Sequence, residues 1–435
     1  MVIDKQEDYS SFISTIKSKD IAVVFIRDDF RNHPAESSVI FASVSCDNKI
    51  THISFTHSES IDKLDYKDLS CAKRIWTDDS KQAYHLTGFN NLYDARMIRH
   101  VEEVGVEQIL EPGDCFKTMY GRLAHRRDVN NFVPIVKIIE YANDRMKVLV
   151  DMIEGIKIKK HHLKYNKALI TLANLEKQGM KIHRGSFSSV FKNGYAYCNY
   201  NMFTATCRPS NTFRGINLGA MSKKDGSRDN ITSRFEKGML VEFDYDAYHL
   251  RILSNFLKYD APTDVSLHQH LADTVYNTSY DESKKISWQI LYGNMPFDKE
   301  KNKLFAQIDK FTTILKDYYH VNKCFKSPIY KKLFKMESVA DINKNKLLNY
   351  FVQSFETETN IETIKRVLGY TEGRSVHMIL YMYDSFLFDL DRTEGFRTVL
   401  EIKKILEDGK YPVKVKAGLN YGSMQDVTEK INELN

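Results

Sequence analysis

Two aspartates at the ends of apolar strands are the residues of this chain best placed to do chemistry. Leu240-Val-Glu-Phe243 reads as a buried strand running into an acidic turn at Asp244. A helix follows, with Leu250, Ile252 and Leu253 apolar and Arg251 among them. Far downstream, Met378-Ile-Leu-Tyr-Met-Tyr383 is a second apolar strand; Asp384 follows it and Phe386-Leu-Phe388 resumes it. A carboxylate at the end of a buried strand is costly unless something cationic meets it. Two of them in one core can hold a pair of divalent metals for phosphoryl transfer. Taken singly, each is more readily a turn residue or an ion-pair partner. The third element changes that balance: Lys284-Lys-Ile-Ser-Trp-Gln-Ile-Leu-Tyr292-Gly293 lies between them in the chain. On a helix, Lys284, Trp288 and Tyr292 share one face. An ammonium suits a triphosphate, and flat rings suit a base pair. The plain alternative is a core helix with one snorkelling lysine.

In this order the three segments resemble motifs A, B and C of the family A DNA polymerases, the group of bacterial DNA polymerase I. The resemblance runs from about Tyr165 to the C-terminus. The family's Asp-Tyr-Ser-Gln-x-Glu-Leu-Arg is similar to Asp244-Tyr-Asp-Ala-Tyr-His-Leu-Arg251, its Lys-x7-Tyr-Gly to Lys284 through Tyr292-Gly293, and its His-Asp-Glu to Tyr383-Asp384-Ser385. Weaker matches are Thr206-Cys-Arg208, Gly215-Ile-Asn217, Ser266-Leu-His268 and Asn349-Tyr-Phe-Val-Gln353. Departures stand beside them. Tyr280 occupies the position of an arginine one turn before the lysine, and the neighbouring Lys285 points off that face. His249 replaces the glutamate that crowds the sugar 2′ position, Trp288 replaces a phenylalanine or tyrosine, and motif C keeps only its aspartate.

The resemblance implies a template-directed DNA polymerase: an α+β right hand of palm and fingers with a reduced or rearranged thumb. Two Mg²⁺, with Mn²⁺ as a substitute, are expected on Asp244, Asp384 and the carbonyl of Tyr245. Catalysis falls to Asp244, Asp384 and Lys284. Nucleotide binding falls to Tyr245, His249, His268, Lys284, Trp288 and Tyr292, and DNA binding to Arg208, Asn217, Arg251, Asn349 and Gln353. The implied partners are primer–template DNA, deoxynucleoside triphosphates and a processivity or replisome factor. A single-subunit RNA polymerase or primase-like enzyme is the alternative, kept open by His249. A catalytically silent nucleic-acid-binding relative is the other.

Upstream, Ile21–Ile26, Ser38–Ser45 and Lys49–Phe55 read as strands, and Ser80–Thr87 and Leu92–Val104 as helical. This order resembles the family's α/β, RNase H-like 3′–5′ exonuclease domain. The resemblance is to a degenerate one: its Asp-x-Glu has become Arg27-Asp28-Asp29, and its later metal-ligand aspartate is Ala83. Residues 131–178 carry a helical apolar stripe (Ile135, Ile138, Ile139, Met146, Leu149, Val150, Ile153) and a basic run, Lys157–Lys164, that reads as a solvated face or a phosphate contact. The expected domains are therefore 1–115 exonuclease-like, 116–180 a helical linker or thumb-like region, and 181–435 palm and fingers. The stretch 180–205, with its Lys192-Asn-Gly-Tyr turn, is too short for a usual thumb.

The 435 residues allow two or three domains, and a net charge of +6 leaves room for acidic sites beside basic ones. The six cysteines form no Cys-x-x-Cys pair, which points to reduced thiols. No signal peptide and no apolar run of bilayer length are visible. The expected location is therefore cytoplasmic, in bacterial replication or viral replication in a host cell, with no membrane partner.

Overall fold

The computed structural model describes residues 2–106, 108–183, 190–191, 193–222, 224–293, 295–337 and 342–433; Lys192 of the expected turn lies outside them. The chain divides into two compact units, Met1–Lys177 and Gln178–Asn435.

In the first unit, β1 (Val2–Ile3), α1 (Gln6–Ile16), β2 (Asp20–Arg27), β3 (Val39–Cys46) and β4 (Lys49–Ser54) come first. They are followed by β5 (Arg74–Thr77), α2 (Ser80–Thr87), β6 (Leu92–Asp94), α3 (Ala95–Val101), α4 (Asp114–Arg122), α5 (Ile135–Ile153) and α6 (Lys160–Lys177). The six-stranded sheet runs β1-β4-β3-β2-β5-β6. The strands β2, β3 and β4 form an antiparallel meander, and β5 and β6 continue parallel to β2. Strand β2 is buried from Ile21 to Arg27 because its alternate residues serve two cores. Val23 and Phe25 face one core with Tyr9 and Ile53. Val24 and Ile26 face another with Ile138, Ala142, Met146 and Leu149 of α5.

Two expectations are corrected here. Leu92–Asp94 is a strand, not the start of a helix: it pairs with β5, and the Asp94 carboxylate accepts the Met97 N–H at 2.7 Å, so the helix begins after it. The helical stretch expected at 116–180 belongs to the first unit as far as Lys177, since the stripe of α5 is spent on this sheet. Val150, counted in the stripe, is exposed. Part of the basic run is spent as well, for Lys159, His161 and His162 all bond the Glu102 carboxylate, at 2.8, 2.6 and 2.8 Å, while Lys157 and Lys160 are exposed.

Of the acidic residues in and beside the expected exonuclease positions, Asp29 and Asp78 each meet a cation, whereas Asp28 has an Oδ1 without a hydrogen-bond partner. Arg145 grips Asp78 with two bonds, at 2.7 and 2.9 Å, both residues being buried. Arg31 lies 2.6 Å from Asp29, and Ala83 is packed in the core.

Five short strands open the second unit: β7 (Met180–Ile182), β8 (Tyr195–Ala196), β9 (Tyr200–Asn201), β10 (Ser210–Asn211) and β11 (Ile231–Thr232). Among the described residues, no α-helix lies between Lys177 and Tyr248. The main sheet follows, starting with β12 (Gly238–Tyr245). Next come α7 (Tyr248–Leu257), α8 (Leu267–Leu271), α9 (Tyr280–Tyr292), α10 (Lys303–Asn322), a hairpin of β13 (Cys324–Lys326) and β14 (Leu333–Lys335), and α11 (Lys344–Thr371). The strands β15 (Val376–Met382) and β16 (Ser385–Asp391), helix α12 (Gly395–Glu407), and strands β17 (Val413–Gly418) and β18 (Gln425–Asp426) complete it. The sheet order is β15-β16-β12-β17-β18, all antiparallel. Its central strand β12 therefore has Leu240, Val241 and Phe243 almost fully buried. The helices α7 to α11 share a core of their own, in which Leu250 and Leu253 meet Leu267, Leu291, Phe305 and Phe351. None of the six cysteines is in a disulfide, and no described helix is long and apolar enough to cross a membrane.

Candidate active site

The register of β12 against β16 brings the two strand-end aspartates together. Asp244 stands opposite Ser385, and the N–H of the next residue, Tyr245, donates to the Asp384 carbonyl at 2.9 Å. Asp384 is the second residue of the two-residue turn between β15 and β16. Tyr383 before it has φ of +59°, and Ala247, just past the end of β12, has φ of +47°. Non-glycine residues adopt such angles only where the surroundings hold them, at a cost of order 1–3 kcal/mol each. Both strained positions flank the aspartates. The Tyr245 ring is fixed by stacking on Tyr248, 4.1 Å between centroids, and by its hydroxyl bonding the Leu406 carbonyl at 2.7 Å.

A cleft of about 700 Å³ opens above this floor. Of the residues singled out in the sequence, all but Asn217 and Arg251 line it. Asp384 is open to the cleft yet surrounded by protein. That partial withdrawal from water, and then the nearby Glu356 charge, hold its carboxyl above the usual range. One wall is α9, started by Ser279, whose hydroxyl accepts the Glu282 N–H. Lys284 extends from it exposed, Trp288 is 63% exposed, and Tyr292 meets the indole edge-on at 6.0 Å. An indole left this open has no packing role, which removes the core-helix reading of that face. His268 of α8 is buried beside Tyr280, its Nδ1 without a hydrogen-bond partner. Burial, with Lys284 and Lys414 nearby, pulls it down to about 4, so the imidazole is neutral at neutral pH.

The residues from distant motifs converge on a carboxylate that sequence reasoning passed over. Glu356 of α11 is buried, and its Oε2 lies 3.1 Å from Arg208 and 3.1 Å from His249 Nε2. His249 Nδ1 bonds the Tyr292 hydroxyl at 2.7 Å, and the Arg208 guanidinium lies 3.7 Å from the centre of the Tyr383 ring. The Thr206 hydroxyl bonds Gln353, which bonds Asn349, one turn away, at 3.0 Å. Glu356 lies seven residues after Asn349 and three after Gln353, on the same helical face. That spacing was the available signal.

Two residues are elsewhere. Asn217 caps a short turn, its side chain accepting the Gly219 N–H at 3.0 Å, and does not line the cleft. Arg251, expected to contact DNA, is 2% exposed. Its guanidinium bonds Asp246 at 2.9 Å and the carbonyls of Pro262 and Val265 at 2.8 and 3.0 Å. This is a correction: the helix α7 turns that side chain inward, where it neutralises a buried carboxylate.

No family model matches the chain, and no curated protein matches it. Among solved structures it is similar to the polymerase domain of Pol1 from M. smegmatis, in complex with DNA primer-template and dNTP. The two share 13% of residues with a TM-score of 0.65, and the match covers 97% of this chain and 99% of that one. At this identity the likeness is one of fold: the chain has the fold of a bacterial polymerase domain.

Proposed function

We propose that the chain is a template-directed DNA polymerase of the family A type, adding deoxynucleotides to a primer 3′-OH with two Mg²⁺ ions. One observation carries this reading: Asp244 and Asp384 meet across β12 and β16 on the floor of a cleft whose wall presents Lys284, Trp288 and Tyr292. The donors suit a hard divalent cation, being carboxylate and carbonyl oxygens, and the raised Asp384 carboxyl is relieved by positive charge. Asp244, Asp384 and the Tyr245 carbonyl would hold the ions, which when bound make the 3′-OH a better nucleophile and offset charge on the phosphates. Lys284 adds a mobile cation at the phosphates, and neutral His268 a hydrogen bond near them. Trp288 stacks on the incoming base, and Tyr292, tied to His249, borders the nascent pair. Arg208, Asn349 and Gln353 contact primer and template. That the structural neighbour holds primer-template and dNTP supports these ligands for the present chain.

Primer extension with dNTPs, then with NTPs, tests the reading. Extension preferring dNTPs is expected; no extension, or extension with NTPs alone, overturns it. His249 is the proposed sugar gate, an imidazole filling the space beside the 2′ position. His249→Ala is expected to lower the dNTP/NTP ratio of kcat/KM by roughly 10-fold. An unchanged ratio assigns the gate elsewhere.

The first unit is proposed as an exonuclease relic. Its meander followed by two parallel strands supports the RNase H-like reading, and the pairing of Asp78 with Arg145 and of Asp29 with Arg31 leaves neither carboxylate free for a metal. With Mg²⁺, a 3′-mismatched primer and no nucleotides, no shortening is expected. Metal-dependent shortening that persists in Asp244→Ala would count decisively against it. The reduced thumb remains part of the proposal, supported by the lack of a described α-helix between Lys177 and Tyr248. A replisome factor would then supply grip on DNA.

A further inference from the structure

Lys414 lines the same cleft as Lys284, and no motif marks it. Lys414 lies on β17 directly across from Asp244 in the strand register. Its side chain leaves the sheet toward α9. There its Nζ donates to the Tyr280 hydroxyl at 3.2 Å and lies 4.9 Å from the centre of that ring. Its acidic neighbour is Asp246, 3.6 Å away. Asp246 does not need it, because its oxygens already take Arg251 at 2.9 Å, the Ser266 hydroxyl at 2.5 Å and the Leu267 N–H at 2.9 Å. A half-exposed ammonium beside an already neutralised carboxylate keeps most of its charge for something else. Lys414, Lys284 and His268 all line the same cleft, and the His268 Nδ1 has no hydrogen-bond partner. Tyr280 begins α9 one turn before Lys284 and carries no charge of its own.

We propose that Lys414, steered by the Tyr280 hydroxyl, is a second binding cation for the triphosphate of the incoming nucleotide, delivered from the palm sheet rather than from α9. The assignment rests on the polymerase reading above. It predicts a loss concentrated on the nucleotide, because the ammonium lies against Tyr280 at the start of α9.

The test measures dNTP affinity at equilibrium on a dideoxy-terminated primer–template, beside KM in extension. The proteins are wild type, Lys414→Gln, Lys285→Gln, and Lys414→Gln combined with Tyr280→Arg. Loss of one charge-assisted phosphate contact at a half-exposed site is expected to weaken dNTP binding roughly 10-fold. Primer–template affinity should be unchanged. Lys285→Gln should match wild type, and Tyr280→Arg should restore most of the loss by placing a guanidinium at the same end of α9. Normal dNTP affinity in Lys414→Gln overturns the assignment, as does an equal loss of primer–template affinity or a failure of Tyr280→Arg to restore binding. Wild-type protein that extends no primer and binds no dNTP overturns the polymerase reading with it.

Discussion

Asp244→Asn or Asp384→Asn is expected to lower nucleotide addition by about 10³-fold or more while the protein stays folded and bound to duplex. Each change removes one negative oxygen donor from the metal pair, and metal stabilisation of the reacting phosphates is worth several kcal/mol, with about 1.36 kcal/mol for each tenfold in rate. Duplex affinity comes mainly from backbone contacts made by other residues. Stability gives an independent reading for Asp384. Burial and the Glu356 charge raise its pKa in the folded chain, so the ionised form is held at a cost that the unfolded chain does not bear. At neutral pH, Asp384→Asn should therefore leave the melting temperature unchanged or higher. Single-turnover extension and duplex binding by anisotropy check the first part. Near-normal turnover by either variant removes the aspartates from the site.

Arg251→Met is expected to cost about 3–5 kcal/mol of stability, the range for breaking one side of a buried ion pair. Asp246 is 6% exposed and Arg251 2% exposed, so the remaining carboxylate would be left with the Ser266 hydroxyl, the Leu267 N–H and the more distant Lys414. Adding Asp246→Asn should recover part of the loss, because no charge then stays buried without a partner. Chemical denaturation of the wild type and these two variants measures this. A DNA contact would behave differently: Arg251→Met would keep its stability and lose salt-dependent affinity for duplex. That outcome would return Arg251 to the nucleic-acid surface.

The parts of the site that were legible in the sequence are those written in local periodicity. A strand alternates its faces every two residues and a helix repeats every 3.6, so Leu240–Phe243 announces a buried strand ending at Asp244. By the same rule, the spacing of Lys284, Trp288 and Tyr292 announces one helical face, whichever partners lie beyond it. The turn at Asp384 was legible for the same reason, with apolar runs on both sides. What the sequence could not settle is which charge meets which. Arg251 belongs to the same motif as Asp244, yet its direction was decided by Asp246 and by the carbonyls of Pro262 and Val265. Glu356 acquired its role because α11 carries it to His249, 107 residues earlier, and Lys414 reaches Tyr280 across 134. The strand at Leu92–Asp94 likewise exists because β5 offers it a free edge. Backbone periodicity is a property of neighbouring residues and survives in the sequence. The partner of a buried charge is fixed by desolvation, which distant segments impose only once the sheet and helices have come together.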